Sequence, residues 1–224
     1  MSELAEQLEL TPVYHRQPSV KTDPSVFTDI YQDDINITVW QRSLPNELTN
    51  AVNDFLATSS TTSAVLAVTP ENTVEILKAD FDTKNITAPL SEDIAQLVDM
   101  FCCLFDQQRA GIRLTVLDRA MCPRFHVDRI PCRLVTTYQG IATQWLNHED
   151  IDRNKLGAKS QGKSDEQSGL IKDDAQINQL TVGDVALLKG ENWDDSEGYG
   201  LVHRSPTVPT GEKRLLLTID FIDD

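Results

Sequence analysis

The sequence predicts an α+β protein, mainly β, in which a helical and short-strand region precedes an antiparallel sandwich, jelly roll or barrel. Three observations carry this. After Gly111 six short runs rich in β-branched and aromatic residues follow one another: IRLTVL (112–117), CRLVTTY (132–138), TQWL (143–146), DVALL (184–188), LVH (201–203) and RLLLTIDF (214–221). No helical pattern of useful length intervenes, which excludes a βαβ alternation. Before Gly111, apolar residues recur at helical spacing instead.

The elements are justified in chain order. Residues 1–33 are polar and hold Pro12, Pro18 and Pro24, which predicts an extended or poorly ordered arm. Residues 34–224 then form a single domain, with 34–110 as helix-containing support and 111–224 as the β core. NITVWQ (36–41) alternates Ile37 and Val39 against Thr38 and Trp40 and reads as a short strand. Ser43 and Pro45 open a helix whose Leu48, Ala51, Val52, Phe55 and Leu56 share a face. AVLAV (64–68) reads as a buried strand, and Val74, Leu77 and Phe81 mark a second amphipathic segment. The clearest helix starts at Ser91 as N-cap, with Glu92 and Asp93 in the first turn and Ile94, Leu97, Val98, Phe101, Leu104 and Phe105 in one stripe. In the β half, residues 147–178 are the exception, because NKLGAKSQGKSDEQSG is polar and holds three glycines. A structureless connection of that length is either a functional loop or a disordered one. The part from Asp152 to Asp174 reads as a lid over a site or as a tolerated surface insertion.

Charge narrows the function classes. The net charge of −15 argues against nucleic acid and against an anionic membrane surface as partners, since both demand clustered cations. No run of about 18 apolar residues exists, and the N-terminus has no apolar core of a secretory signal. Cys102, Cys103, Cys122 and Cys132 do not form a disulfide framework, so a cytoplasmic protein is expected.

The chemistry-bearing residues lie in the β half. In RFHVDR, His126 and Asp128 stand two apart, so on extended backbone they project to the same side. His203 follows 75 residues after Asp128, in GLVHRSP. Two imidazoles and one carboxylate on one face of a metal leave its other positions open, which suits non-haem Fe(II). Cys122, four residues before His126, adds a thiolate for a zinc site or is a small core residue. Trp145 and Trp193 line a substrate mouth or pack in the core.

HVD, then GDVALLKGE, then LVHRSPTVPTGEKRLLLTIDF resembles the iron- and 2-oxoglutarate-dependent oxygenases, especially the prolyl-hydroxylase-like branch. The resemblance covers roughly residues 111–222 and implies a cupin-like double-stranded β-helix, or jelly roll. It implies a metal triad of His126, Asp128 and His203, a turn at Gly211, and a basic residue after the second histidine that binds the distal carboxylate of 2-oxoglutarate. The family's spacing of ten selects Lys213. Strand alternation favours Arg214 instead, because Lys213 is in phase with the apolar face of Leu215, Leu217 and Ile219, whereas Arg214 shares the polar face with Thr218 and Asp220. An arginine also offers a carboxylate a two-point fork. The competing reading of Arg214 is an ion pair with Asp220. Tyr138 and Arg113 are further candidate contacts to the cosubstrate, with packing and a rim position as their alternatives. MCPRFHVDRIPCRLVTTYQG also resembles a bacterial family catalogued only as a domain of unknown function. That second resemblance implies no activity; the resemblance to the oxygenases implies a dioxygenase, an oxidoreductase using Fe(II) and 2-oxoglutarate on a small-molecule or protein side-chain substrate. The alternative is a cupin-like protein that binds zinc or another metal in metal homeostasis, without oxygenase activity.

Overall fold

The computed structural model describes residues 15–59, 63–81, 86–193 and 198–222. The chain is mixed α/β. A seven-stranded sheet runs β1 (Gln17–Lys21), β2 (Ile35–Trp40), β8 (Val185–Lys189), β5 (Cys132–Gln139), β10 (Arg214–Asp220), β4 (Ala110–Leu117), β3 (Ser63–Val68) in spatial order. A small sheet of β7 (Asn178–Gln179), β6 (Gln144–Trp145) and β9 (His203–Arg204) covers one face. From β4 onward the chain passes back and forth between the two sheets, and its sheet pairings are antiparallel.

The other face of the large sheet carries the helices α1 (Asn46–Thr58), α2 (Thr73–Phe81) and α3 (Ala88–Phe105). Strand alternation divides the core accordingly. Leu134 and Tyr138 of β5 and Leu215, Leu217 and Ile219 of β10 pack against the helices, with Phe55, Leu97 and Phe101 opposite. Val135 and Leu216 point the other way, into a second cluster with Trp145, Leu180 and Leu201. Both faces of the middle strands are therefore dry, which is why all but the last residue of β2 are buried rather than every second one.

Four expectations change. The N-terminal arm is part of the domain from Gln17 onward. β1 pairs in parallel with β2, and a 3₁₀ helix, Pro24–Tyr31, buries Val26, Phe27 and Ile30. Two prolines concealed it: Pro18 sits on an edge strand and Pro24 in the first turn of the helix, both places where a missing N–H costs nothing. Residues 1–14 of that arm lie outside the described residues. AVLAV forms β3, but as the edge of the sheet, with Ala64 and Val68 buried and Val65 66% exposed. The long helix begins at Ala88 rather than Ser91. Thr87 is the N-cap and Pro89 lies in the first turn, while the Ser91 hydroxyl donates back to the Thr87 and Ala88 carbonyls from inside the helix.

The fourth change is the segment between β6 and β7. It carries three single 3₁₀ turns and α4 (Asp165–Ser168), closed by a bridge between Ile151 and Ile171. Ile151 and Leu170 are buried with Phe125, Leu146 and Val202 in a core of their own. A few apolar residues suffice there because they pack against the segments that flank His126 and His203.

Candidate metal centre

His126 and His203 are brought together by backbone pairing. Each N–H donates to the other's carbonyl at 3.0 Å, so the segment holding His126 lies along β9. Asp128 follows in a loop whose carbonyl accepts from Glu191 N at 2.9 Å. Gly190 allows that approach, since a Cβ there would collide with the Ile130 carbonyl. Ligand atoms of His126, Asp128 and His203 all lie within 4.8 Å of one another, the one such group of three found among the described residues.

Hydrogen bonds settle which nitrogen faces inward. His126 Nδ1 lies 2.9 Å from the Arg124 carbonyl and His203 Nδ1 lies 3.2 Å from the Leu201 carbonyl. A carbonyl only accepts, so each Nδ1 carries a proton and each Nε2 is the atom turned toward Asp128. Those nitrogens sit 3.5 Å from Asp128 Oδ1 and Oδ2 respectively. Burial pushes the His203 pKa down to about 4, so this imidazole is neutral at ordinary pH. At His126 burial acts the same way, but the Asp128 carboxylate and the Arg124 carbonyl outweigh it and raise the pKa. Burial would raise Asp128; hydrogen bonding to His126 and the charges of His203 and Arg133 hold it well below the usual carboxylate range. Once a cation displaces the proton that Asp128 favours on His126, the donor set is two imidazole nitrogens and one ionised carboxylate, which fits a first-row divalent metal.

A cavity of about 60 Å³ adjoins this group, lined among others by His126, His203, Thr143, Ser205 and Arg214. Arg214 is fully buried. Its Nη1 donates to Ser205 Oγ at 2.9 Å, and its Nη2 to Thr143 Oγ1 at 2.8 Å and Thr137 Oγ1 at 3.1 Å. Its Nε has no partner, and burial pulls its pKa down to about 10. Gly140, at φ +86°, sits so close that a Cβ would stand 2.6 Å from the Lys213 carbonyl, so only glycine lets β5 turn away over the start of β10. A larger polar cleft of about 420 Å³ shares Arg204 and Ser205 with the cavity and is walled by Arg124, Asp165 and Glu166.

The remaining candidates disperse. Lys213 points away and donates to the Leu56 carbonyl. Tyr138 lies on the helix face of β5, where its hydroxyl donates to Asp93 Oδ2 at 2.6 Å beside the Arg42 fork, so it cannot reach a ligand on the opposite face. Arg113 is exposed on β4 and does not line the cavity. Cys122 lines the cavity, but its sulfur is not among the converging donors. Asp220 pairs with Arg133 and not with Arg214. Trp145 is core, and Trp193 packs on Tyr31 and Phe105. Sequence reasoning missed Arg133, whose Nη1 donates to Asp128 Oδ2 at 2.7 Å, and the hydroxyls of Thr137, Thr143 and Ser205. Arg133 alternates in phase with Val135 and Thr137, which was the available signal.

The fold has a counterpart among solved structures. The chain resembles dioxygenase for auxin oxidation 1 from Arabidopsis thaliana, solved with 2-oxoglutarate, at a TM-score of 0.52 and 9% identity over 93% of each chain. It therefore has the fold of the 2-oxoglutarate oxygenases. A looser likeness is to a prolyl-4-hydroxylase from Pseudomonas putida, at a TM-score of 0.44 and 12% identity over 89% of this chain and 98% of that one. No curated protein matches in sequence. The chain belongs to the family described as "Protein of unknown function (DUF1826)", which matches residues 21–220.

Proposed function

We propose that this protein is an iron(II)- and 2-oxoglutarate-dependent dioxygenase whose two sheets form a double-stranded β-helix. The observation that carries the reading is Arg214. A guanidinium buried in the wall of the metal cavity, bonded to three hydroxyls with no carboxylate opposite it among the described residues, awaits an anion. A dicarboxylate cosubstrate supplies that anion, whereas metal storage has no use for it, and the zinc reading also lacks the thiolate of Cys122. His126, Asp128 and His203 hold the metal; Arg214, with Thr137, Thr143 and Ser205 around it, receives the distal carboxylate. Iron(II) and 2-oxoglutarate, when bound, supply dioxygen activation coupled to decarboxylation of the cosubstrate.

The neighbouring 420 Å³ cleft is the place for the substrate, a small molecule or a protein side chain. Its walls carry guanidinium, carboxylate and hydroxyl groups, which suits a hydrogen-bonding substrate. A net charge of −15 disfavours nucleic acid and anionic membrane as partners, and four free cysteines accord with the cytoplasm. Among the described residues no helix is long and apolar enough to cross a membrane. Anaerobic addition of Fe(II) and 2-oxoglutarate tests the reading: a visible charge-transfer band is expected. Metal uptake without that band overturns it in favour of a metal-binding protein.

A further inference from the structure

Asp128 is not held by the two histidines alone. Arg133 on β5 donates from Nη1 to Asp128 Oδ2 at 2.7 Å. The rest of its guanidinium is spent on Asp220 of β10, with Nε to Oδ1 at 2.7 Å and Nη2 to Oδ2 at 2.9 Å. Arg133 and Asp220 are directly paired across the β5–β10 ladder, so the fork is set by sheet register and fixes the plane of the guanidinium. One N–H is then aimed at one oxygen of a carboxylate that stands on a loop and could otherwise rotate.

We propose that Arg133 is a positioning residue that withholds Asp128 Oδ2 from a bound divalent cation, so that Asp128 ligates through Oδ1 alone, and that Asp220 returns the negative charge that Arg133 would remove. A carboxylate can bind a metal through one oxygen or both. Engaging both would consume a position that a two-histidine, one-carboxylate site keeps open for exogenous ligands. Withholding Oδ2 preserves that position. Charge explains the third member. Asp128 with Arg133 sums to zero, which weakens attraction for a cation; adding Asp220 restores one negative charge while leaving the hydrogen bond in place. Outer partners of this kind orient ligands and tune metal affinity.

The inference rests on the metal site and not on oxygenase turnover. The probe is Co(II), titrated anaerobically into the full-length protein, with visible absorption reporting the ligand set. Asp220→Asn keeps a hydrogen-bonding side chain but loses the charge; Co(II) affinity is expected to fall on the order of tenfold, with the bands little moved. Arg133→Met frees Oδ2 and should shift the Co(II) bands, and Arg133→Lys, which restores one N–H without the fork, should recover part of the wild-type spectrum. Arg133→Lys and Asp220→Asn keep the test alive if Arg133→Met does not fold. A wild type that binds Co(II) beside variants with its spectrum and affinity overturns the proposal. A wild type that takes up no Co(II) overturns the metal site itself.

Discussion

Arg214 is a cation with hydroxyls for company, and two opposite consequences follow from that. Arg214→Met should leave metal uptake intact and weaken 2-oxoglutarate binding roughly ten- to a hundredfold, the worth of about 1.5–3 kcal/mol for a charged hydrogen bond, measured by titration of the metal-loaded protein. The ligand-free variant should melt no lower than wild type, because deleting an uncompensated buried charge removes a desolvation penalty. Lys213→Met should spare 2-oxoglutarate binding, since its amine bonds to the Leu56 carbonyl on the far side of the sheet. His126→Ala or His203→Ala should abolish stoichiometric divalent metal by elemental analysis. That Arg214 and not Lys213 faces the cavity was legible in the sequence because side chains alternate along a strand. The same rule, applied to Tyr138, places it in phase with Leu134 and hence against the helices. Its hydroxyl had suggested a ligand contact, but parity decides the face. Tyr138→Phe should therefore cost stability, through the lost bond to Asp93, and leave cosubstrate binding unchanged.

At the scale of elements, the segment between β6 and β7 is fastened beside His126 and His203 chiefly by one buried carboxylate. Asp165 is buried and accepts from Phe125 N at 2.8 Å, one residue before His126, and lies 3.4 Å from Arg204, one residue after His203. Arg124 reaches the Ser160 hydroxyl and the Lys163 carbonyl from the same side. Lys155, Lys159 and Lys163 are exposed on this segment. Asp165→Ala should leave Phe125 N without its acceptor and expose the segment, so trypsin is expected to cut after Lys159 and Lys163 faster than in wild type. Protection of the wild-type segment by metal with 2-oxoglutarate would mark it as a lid; an unchanged rate would leave it as a fixed wall of the cleft. Composition hid this element. Its four anchoring apolar residues are scattered among charges, and their partners Phe125 and Val202 are remote in sequence, so no local period announces them. The helices, whose contacts recur every three or four residues, were legible for the opposite reason.

For the whole molecule, stability depends on the N-terminal region and on alkaline pH. Ile30 is fully buried under the sheet, and Ile30→Ala should cost about 2–5 kcal/mol in denaturant unfolding. Burial pushes the Cys102 thiol up to about 11 and the Tyr138 phenol well above its usual value. The native state therefore keeps protons that the unfolded chain has lost above about pH 9–10, and unfolding is favoured as pH rises through that window. The thermal midpoint should fall from pH 9 upward, and less steeply in Tyr138→Phe.

β10 holds Arg214 at its first residue and Asp220 at its last, about 20 Å apart, both on the cavity face. A ladder that closed one residue out of step would turn both toward the helices together. Such a molecule would be compact and sheet-rich, yet chemically blank. If the proposed function holds, cosubstrate uptake would be a proofreading signal on assembly: it would report whether the final strand has found its partner, which bulk spectroscopy of secondary structure does not see.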